Sequence, residues 1–353
     1  MQQKLISKKK PSFPINKKLY DYLSEYNRNI KIPIFYDDLL RFSGSVIVYD
    51  KNDHDTLWVR VYYPEFEQAE IALSLKKMYN ILHGDGTEDN FENLMVDEID
   101  FCTFGNSKPF RIKIRNVLND NYTYIYVKKG DASRVYGLEL EDVISPNNIN
   151  FLVYKDTLIE EHVLGIPGDI FADESLAELS EAEKHRLSKE FVKFNERCLI
   201  SLLGDMRSYN YVIVPTFDFD QVQYRIRAMD FDQQSYEGNL KVYRPQFFKE
   251  NYPFVRMVDK SLGPESIEQY KKEERSIIAK RLKGSHDRIN HLLECMKHDT
   301  ISTPENVEKL KNELNTFTND KNFKSCNNMG EILSVAFDFV IRNYESVNTY
   351  IIR

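Results

Sequence analysis

The chain has 353 residues, enough for two or three packed units with a sizeable core. Hydrophobic residues make up 42 % and charged residues 29 %, the balance of an ordinary globular protein. A net charge of −7 argues against a global attraction to nucleic acid or an anionic membrane, although a lysine and a bound metal ion can reverse the field at one site. Cys102, Cys198, Cys295 and Cys326 are scattered with no CxxC spacing, which fits buried thiols in a reducing compartment. No apolar run approaches the roughly 18 residues that span a bilayer. The basic start has no apolar segment of the kind a secretory signal carries, and Lys8, Lys9 and Lys10 read as a solvated run. The expectation is a cytoplasmic protein with neither a nucleic-acid nor a membrane partner.

Residues 1–35 are polar and basic, with one short amphipathic stretch at 19–26. Apolar runs at 44–49 and 57–63 flank a turn-rich segment and predict a hairpin, which Pro64 stops. Helical spacing follows over 65–82 and ends at His83-Gly84. Residues 84–93 read as a polar linker, so residues 1–95 are expected to form an α/β module of their own. Strands are predicted at 99–104, 109–117 and 122–129, a three-stranded antiparallel meander. In the second of them Phe110, Ile112 and Ile114 alternate with Arg111, Lys113 and Arg115. A helix over 133–144 and short strands at 151–154 and 158–160 come next.

Beyond Gly165-Ile166-Pro167-Gly168 the chain turns mostly helical. The clearest helix, 180–203, opens with Ser180 and Glu183 at capping-box spacing. Strands at 211–214 and 223–226 form a hairpin, and further helices fit 265–283, 286–297, 304–317 and 329–344. Thr303-Pro304 pairs a cap residue with proline at the first helical position.

Two short acidic segments carry the chemistry. Gly204-Asp205 with Asn210 follows the long helix and precedes a strand; Asp230-Phe231-Asp232 follows the next strand. Phosphoryl transfer needs a carboxylate to orient an attacking hydroxyl and accept its proton, and oxygen ligands for Mg²⁺. An Asp and an Asn five residues apart on one loop, beside a strand ending in two carboxylates, supply those groups. Asp287, His291, Cys295 and His298 are metal-capable types along one helical face. Successive turns lie about 5.4 Å apart, so one straight helix cannot close four of them on one ion. Cys198 and Ser201 lie inside the long helix with no His placed to activate them.

With those residues in place, 99–235 resembles the protein-kinase-like superfamily, nearest its aminoglycoside phosphotransferase and choline kinase branch. The resemblance implies an α+β, two-lobed protein-kinase-like fold: a small antiparallel β-rich lobe at 96–163 and a larger helical lobe at 164–353, behind the 1–95 module. By the same likeness Asp205 is the catalytic base; Arg207, from its place inside the same loop, is expected to touch the γ-phosphate or the acceptor. Asn210 and Asp230 hold Mg²⁺ with Asp232 assisting. Ile125-Tyr126-Val127-Lys128 is similar to the strand whose lysine pairs the ATP phosphates, with Glu139 preferred over Glu141 as the carboxylate that holds Lys128. The backbone at Glu161 and Val163 faces the adenine, and Gly105, Asn106 and Ser107 form the phosphate loop. The family's His before Gly-Asp is Leu203 here, and its run of loop glycines is reduced to Gly105. The implied function is ATP- and Mg²⁺-dependent transfer of the γ-phosphoryl group to a hydroxyl of a small molecule. A protein acceptor, or a nucleotide-binding scaffold without catalysis, are the alternatives.

Overall fold

The computed structural model describes residues 10–84, 91–105, 107–218 and 221–344. The chain divides into two compact units, Met1–Ala132 with Ile149–His162, and Ser133–Asn148 with Val163–Arg353. Among the described residues no helix is long and apolar enough to cross a membrane. The fold is α+β.

In the first unit, numbering along the chain, α1 (Lys17–Glu25), α2 (Tyr36–Leu39) and α3 (Glu65–His83) accompany β1 (Gly44–Tyr49), β2 (Asp55–Tyr62), β3 (Leu94–Cys102), β4 (Phe110–Asn116), β5 (Tyr122–Lys129), β6 (Phe151–Tyr154) and β7 (Thr157–Glu161). The strands form one antiparallel 7-stranded sheet in the order β1-β2-β3-β4-β5-β7-β6. The alternation read in β4 sets its two faces. Phe110, Ile112 and Ile114 join Ile125 and Val127 of β5 in a core with Ile71, Leu75, Met78 and Leu82 of α3. Each such side chain contributes about 1.5–3 kcal/mol by leaving water. The opposite face carries charge. Asp100 is wholly buried and lies between two guanidinium groups, with Arg60 Nε at 2.9 Å and Arg111 Nη2 at 2.8 Å.

The separation expected at residue 95 does not occur. β2 pairs with β3 through Trp58↔Cys102, Val59↔Phe101 and Arg60↔Asp100, so the front hairpin extends the meander's sheet. A lone hairpin is marginal in water, and without α3 the apolar face of β4 and β5 would lose its cover. β3 also begins at Leu94, earlier than the 99 read from the sequence.

The second unit takes in α4 (Ala132–Ile144) from Ser133 onward, β8 (Ile166–Pro167), α5 (Gly168–Glu174), α6 (Glu181–Ser201), β9 (Tyr211–Asp218), β10 (Gln221–Ala228), α7 (Tyr252–Ser261), α8 (Pro264–Gly284), α9 (His286–Lys297), α10 (Pro304–Thr318) and α11 (Met329–Asn343). β10, β9 and β8 form a small antiparallel sheet in that order. The capping box at α6 is present: Glu183 N donates to Ser180 Oγ at 3.3 Å, and Ser180 N donates to Glu183 Oε2 at 2.9 Å. Thr303 caps α10 by accepting from Asn306 N at 3.2 Å. Neither α5 nor α7 is among the helices expected from the sequence, although α7 places Phe254, Met257 and Val258 on one buried face.

α6 and α8 are joined by buried charges at neighbouring positions on each helix. Arg197 Nη1 lies 2.9 Å from Glu274 Oε1, and Glu196 accepts from Arg275 Nε at 2.5 Å. Arg197 also reaches Glu190 Oε1 at 2.8 Å and Ile226 O at 3.2 Å. Removing one partner of such a set strands the other in a low-dielectric interior, which typically costs about 3–5 kcal/mol. Arg197→Met should therefore destabilise the chain by that amount in chemical unfolding. A loss below about 1 kcal/mol would mean that solvent reaches the pair.

Candidate functional site

α6 ends on Leu202 in the left-handed region at φ 54°, which turns the chain into the Gly204–Asn210 loop. That loop is laced by its backbone to the segment after β10. Gly204 N donates to Gln233 O at 3.2 Å, Ser235 N to Leu202 O at 2.8 Å, and Met229 N to Asn210 O at 3.1 Å. Gln234 Nε2 adds a bond to Ser201 O at 2.6 Å. Gly204 favours the approach, because a Cβ there would crowd Gln233 O at 3.0 Å. The two acidic segments thus run side by side, and Asp205, Asn210, Asp230 and Asp232 belong to one hydrogen-bonded loop pair.

Within it Asp205 holds φ 57°, and its Oδ1 accepts from Arg207 Nε at 2.8 Å. Arg207 continues to Glu250 Oε1 at 2.9 Å and stands over the Phe248 ring at 4.8 Å. The sequence points Arg207 at phosphate or acceptor; in the structure its donors engage Asp205 and Glu250. Burial pushes the Asp205 carboxyl above its ordinary value, with the Arg207 guanidinium working in the other direction. Asn210 Nδ2 donates to Asp205 O at 2.8 Å, which leaves its Oδ1 as an acceptor.

The Asp230-Phe231-Asp232 segment is gripped by α4. Arg134 is 2 % exposed, and its Nη1 lies 2.8 Å from Asp230 Oδ1 and 2.8 Å from Asp232 Oδ1. Its Nη2 donates to Met229 O at 3.3 Å. One turn on, Gly137 leaves room for Phe231: a Cβ there would stand 3.0 Å from Phe231 Cβ. Ser133 Oγ donates to Gln234 O at 2.6 Å. At its far end α4 is tied to α9, where Arg288 Nη2 lies 2.7 Å from both Glu139 Oε2 and Asp142 Oδ2. These contacts place α4 in the second unit rather than in the β-rich one expected from the sequence.

The donors present suit a hard cation. Asn210 and Asp230 are oxygen ligands on one loop pair, and Asp230 keeps 36 % of its side chain exposed. Mg²⁺ commonly takes one or two protein carboxylates and completes its shell with phosphate and water. Among the described residues no group of three or more His, Cys, Asp or Glu could hold a metal by itself.

In the first unit Lys128 is 6 % exposed, and its Nζ lies 2.8 Å from Glu160 Oε2 on β7. Lys128 pairs with Leu158 and Tyr126 with Glu160, so Lys128 and Glu160 are diagonal neighbours on one face of the sheet. Glu160 is a carboxylate partner that the sequence reading passed over, having named only Glu139 and Glu141. The Glu161 N–H is committed to Asn150 O at 2.9 Å, so it is no donor for an adenine; Val163 is buried. Gly105, at φ 87°, and Ser107 lie on the β3–β4 loop. Asn106 lies outside the described residues.

No protein-family model matches this chain, and no curated protein matches its sequence.

Charge removal around Arg134 should be asymmetric. The double change Asp230→Asn with Asp232→Asn strands a buried guanidinium and should cost about 3–5 kcal/mol. Arg134→Met leaves carboxylates that are partly solvated and should cost less, about 1–3 kcal/mol. Urea unfolding of the two variants measures the order, and the reverse order would mean that Arg134 is not the desolvated member.

Proposed function

We propose that the chain is an ATP- and Mg²⁺-dependent phosphotransferase of protein-kinase-like fold that transfers the γ-phosphoryl group to a hydroxyl of a small molecule. The observation that carries this reading is the loop pair: a carboxylate with a raised pKa and its guanidinium partner, laced by backbone bonds to an amide and two further carboxylates. The buried Lys128–Glu160 pair supports it as a site for nucleotide phosphate charge.

In this reading the acceptor hydroxyl is polarised by Asp205. Its oxygen bonds to the γ-phosphorus as the bond from that phosphorus to the β–γ bridging oxygen breaks. ADP leaves, and the hydroxyl proton passes to the Asp205 carboxylate. Arg207 fixes the carboxylate's orientation and limits how far burial raises its pKa. Asn210 and Asp230, with Asp232 beside them, are the residues that would hold Mg²⁺, which supplies neutralisation of phosphate charge. Lys128, held by Glu160 within the first unit, is the residue the kinase likeness assigns to the nucleotide phosphates. A nucleotide-binding scaffold without turnover is the second reading. One observation favours it: Arg134 already places a cation against both Asp230 and Asp232.

ADP formation from Mg–ATP, screened across small-molecule alcohols, tests the proposal. Asp205→Asn should lower the rate about 10²–10⁴-fold while keeping the thermal shift produced by Mg–ATP. A shift without turnover, the same in Asp205→Asn, would establish the scaffold. No shift with ATP, with or without Mg²⁺, would overturn both readings.

The base must be ionised, so activity should fall as pH drops through the Asp205 pKa, which burial holds above the ordinary value of 3.8. Arg207 lowers that pKa, so Arg207→Met should move the acid limb of the kcat/KM profile to still higher pH. A limb that stays put would separate Arg207 from the base.

A further inference from the structure

A cavity of about 330 Å³ lies wholly in the helical unit. Its walls are largely apolar, with Phe191 and Leu199 of α6, Val255 and Val258 of α7 and Ile267 of α8. That size and lining are those of a small-molecule site.

Four titratable side chains face it from the surrounding elements. Glu196 of α6 is neutralised by Arg275. Lys271 of α8 is neutralised by Glu268 at 2.6 Å. Asp259 of α7 is exposed to solvent. Arg244, in the segment before Pro245, is different. Its guanidinium lies 4.5 Å from the centroid of Phe247 and 5.6 Å from that of Phe317. Among the described residues no carboxylate pairs with it. Arg134, Arg197 and Arg275, the buried arginines of this unit, all have carboxylate partners. Desolvation pushes the Arg244 pKa down, with the Glu196 carboxylate working in the other direction. Aromatic faces hold the guanidinium plane in place and leave its donor fork for a planar acceptor.

We propose that this cavity binds a small amphipathic carboxylate, with an aromatic or aliphatic body against the apolar wall and its carboxylate on Arg244. The inference is independent of the phosphoryl-transfer reading, because none of its residues serves that chemistry.

The test uses the full chain with 2-naphthoate and its neutral counterpart 2-naphthamide, followed by calorimetry and ligand-observed NMR. The wild type should bind the carboxylate saturably and at least about 10-fold more tightly than the amide. Arg244→Gln should bring the carboxylate down to the level of the amide. Arg244→Lys, which keeps the charge and loses the fork, should fall between. Val258→Trp, which fills the cavity, should abolish binding of both probes, and circular dichroism checks that each variant is folded. ATP should displace neither probe. Should Arg244→Gln not fold, the carboxylate-over-amide preference and the Val258→Trp result decide. The proposal is overturned by equal affinity for the two probes, by carboxylate binding that survives in Arg244→Gln or Val258→Trp, or by no saturable binding of the naphthoate. Failure here leaves the Asp205 assays untouched.

Discussion

A guanidinium that is almost wholly removed from water must find carboxylates, and Arg134 finds two on one short segment. That constraint organises the helical unit. It draws α4 onto the Asp230–Asp232 segment, where Gly137 lets Phe231 come close. The segment in turn holds the Asp205 loop through Gly204–Gln233 and Asn210–Met229. The geometry around the candidate base therefore depends on a charge that does not touch the base. A buried ion pair is weak evidence for stability against a hydrophobic alternative, but losing one member is costly. The arrangement constrains conformation more than it adds stability.

The same device appears three more times with different partners. Asp100 is the buried member between Arg60 and Arg111 in the sheet. Lys128 and Glu160 are both nearly buried on β5 and β7 of the same sheet. In the helical unit, Glu196 with Arg275 and Arg197 with Glu274 join α6 to α8. In each, neighbouring elements are locked in register by groups that cannot be left alone. Arg244 departs from the pattern: it stands against the Phe247 and Phe317 rings and, among the described residues, is in no ion pair, and that departure is what the carboxylate proposal for the helical-unit cavity rests on.

At Asp205 two effects oppose each other. Burial favours the protonated acid, and the Arg207 guanidinium favours the carboxylate. The balance leaves the Asp205 carboxyl above the ordinary aspartate value, and Glu250, which shares the guanidinium, works in the same direction as burial. A proton acceptor benefits from such a setting. A plain surface turn, the alternative for a Gly-Asp pair, would show neither the burial nor the paired cation.

What depends on near neighbours is legible along the chain. The alternation of Phe110, Ile112 and Ile114 with three basic residues set the two faces of β4. Ser180 with Glu183, and Thr303 with Pro304, set where two helices begin. The adjacency of the Asp205 loop and the Asp230 segment was also legible, because a hairpin that starts beside one must return beside the other. Tertiary structure alone decided what depends on register and on groups far apart in the chain. The partner of Lys128 on β7 is set by the offset between two strands, which no local pattern encodes. The joining of residues before 95 to the main sheet rests on β2–β3 pairing across some forty intervening positions. The placement of α4 followed from where the buried Arg134 charge could be neutralised, and the half-buried Arg207 meets Glu250 from a distant segment. Periodicity is a short-range property of the backbone, whereas neutralising a desolvated charge is satisfied by whichever opposite charge the folded chain brings within about 3 Å.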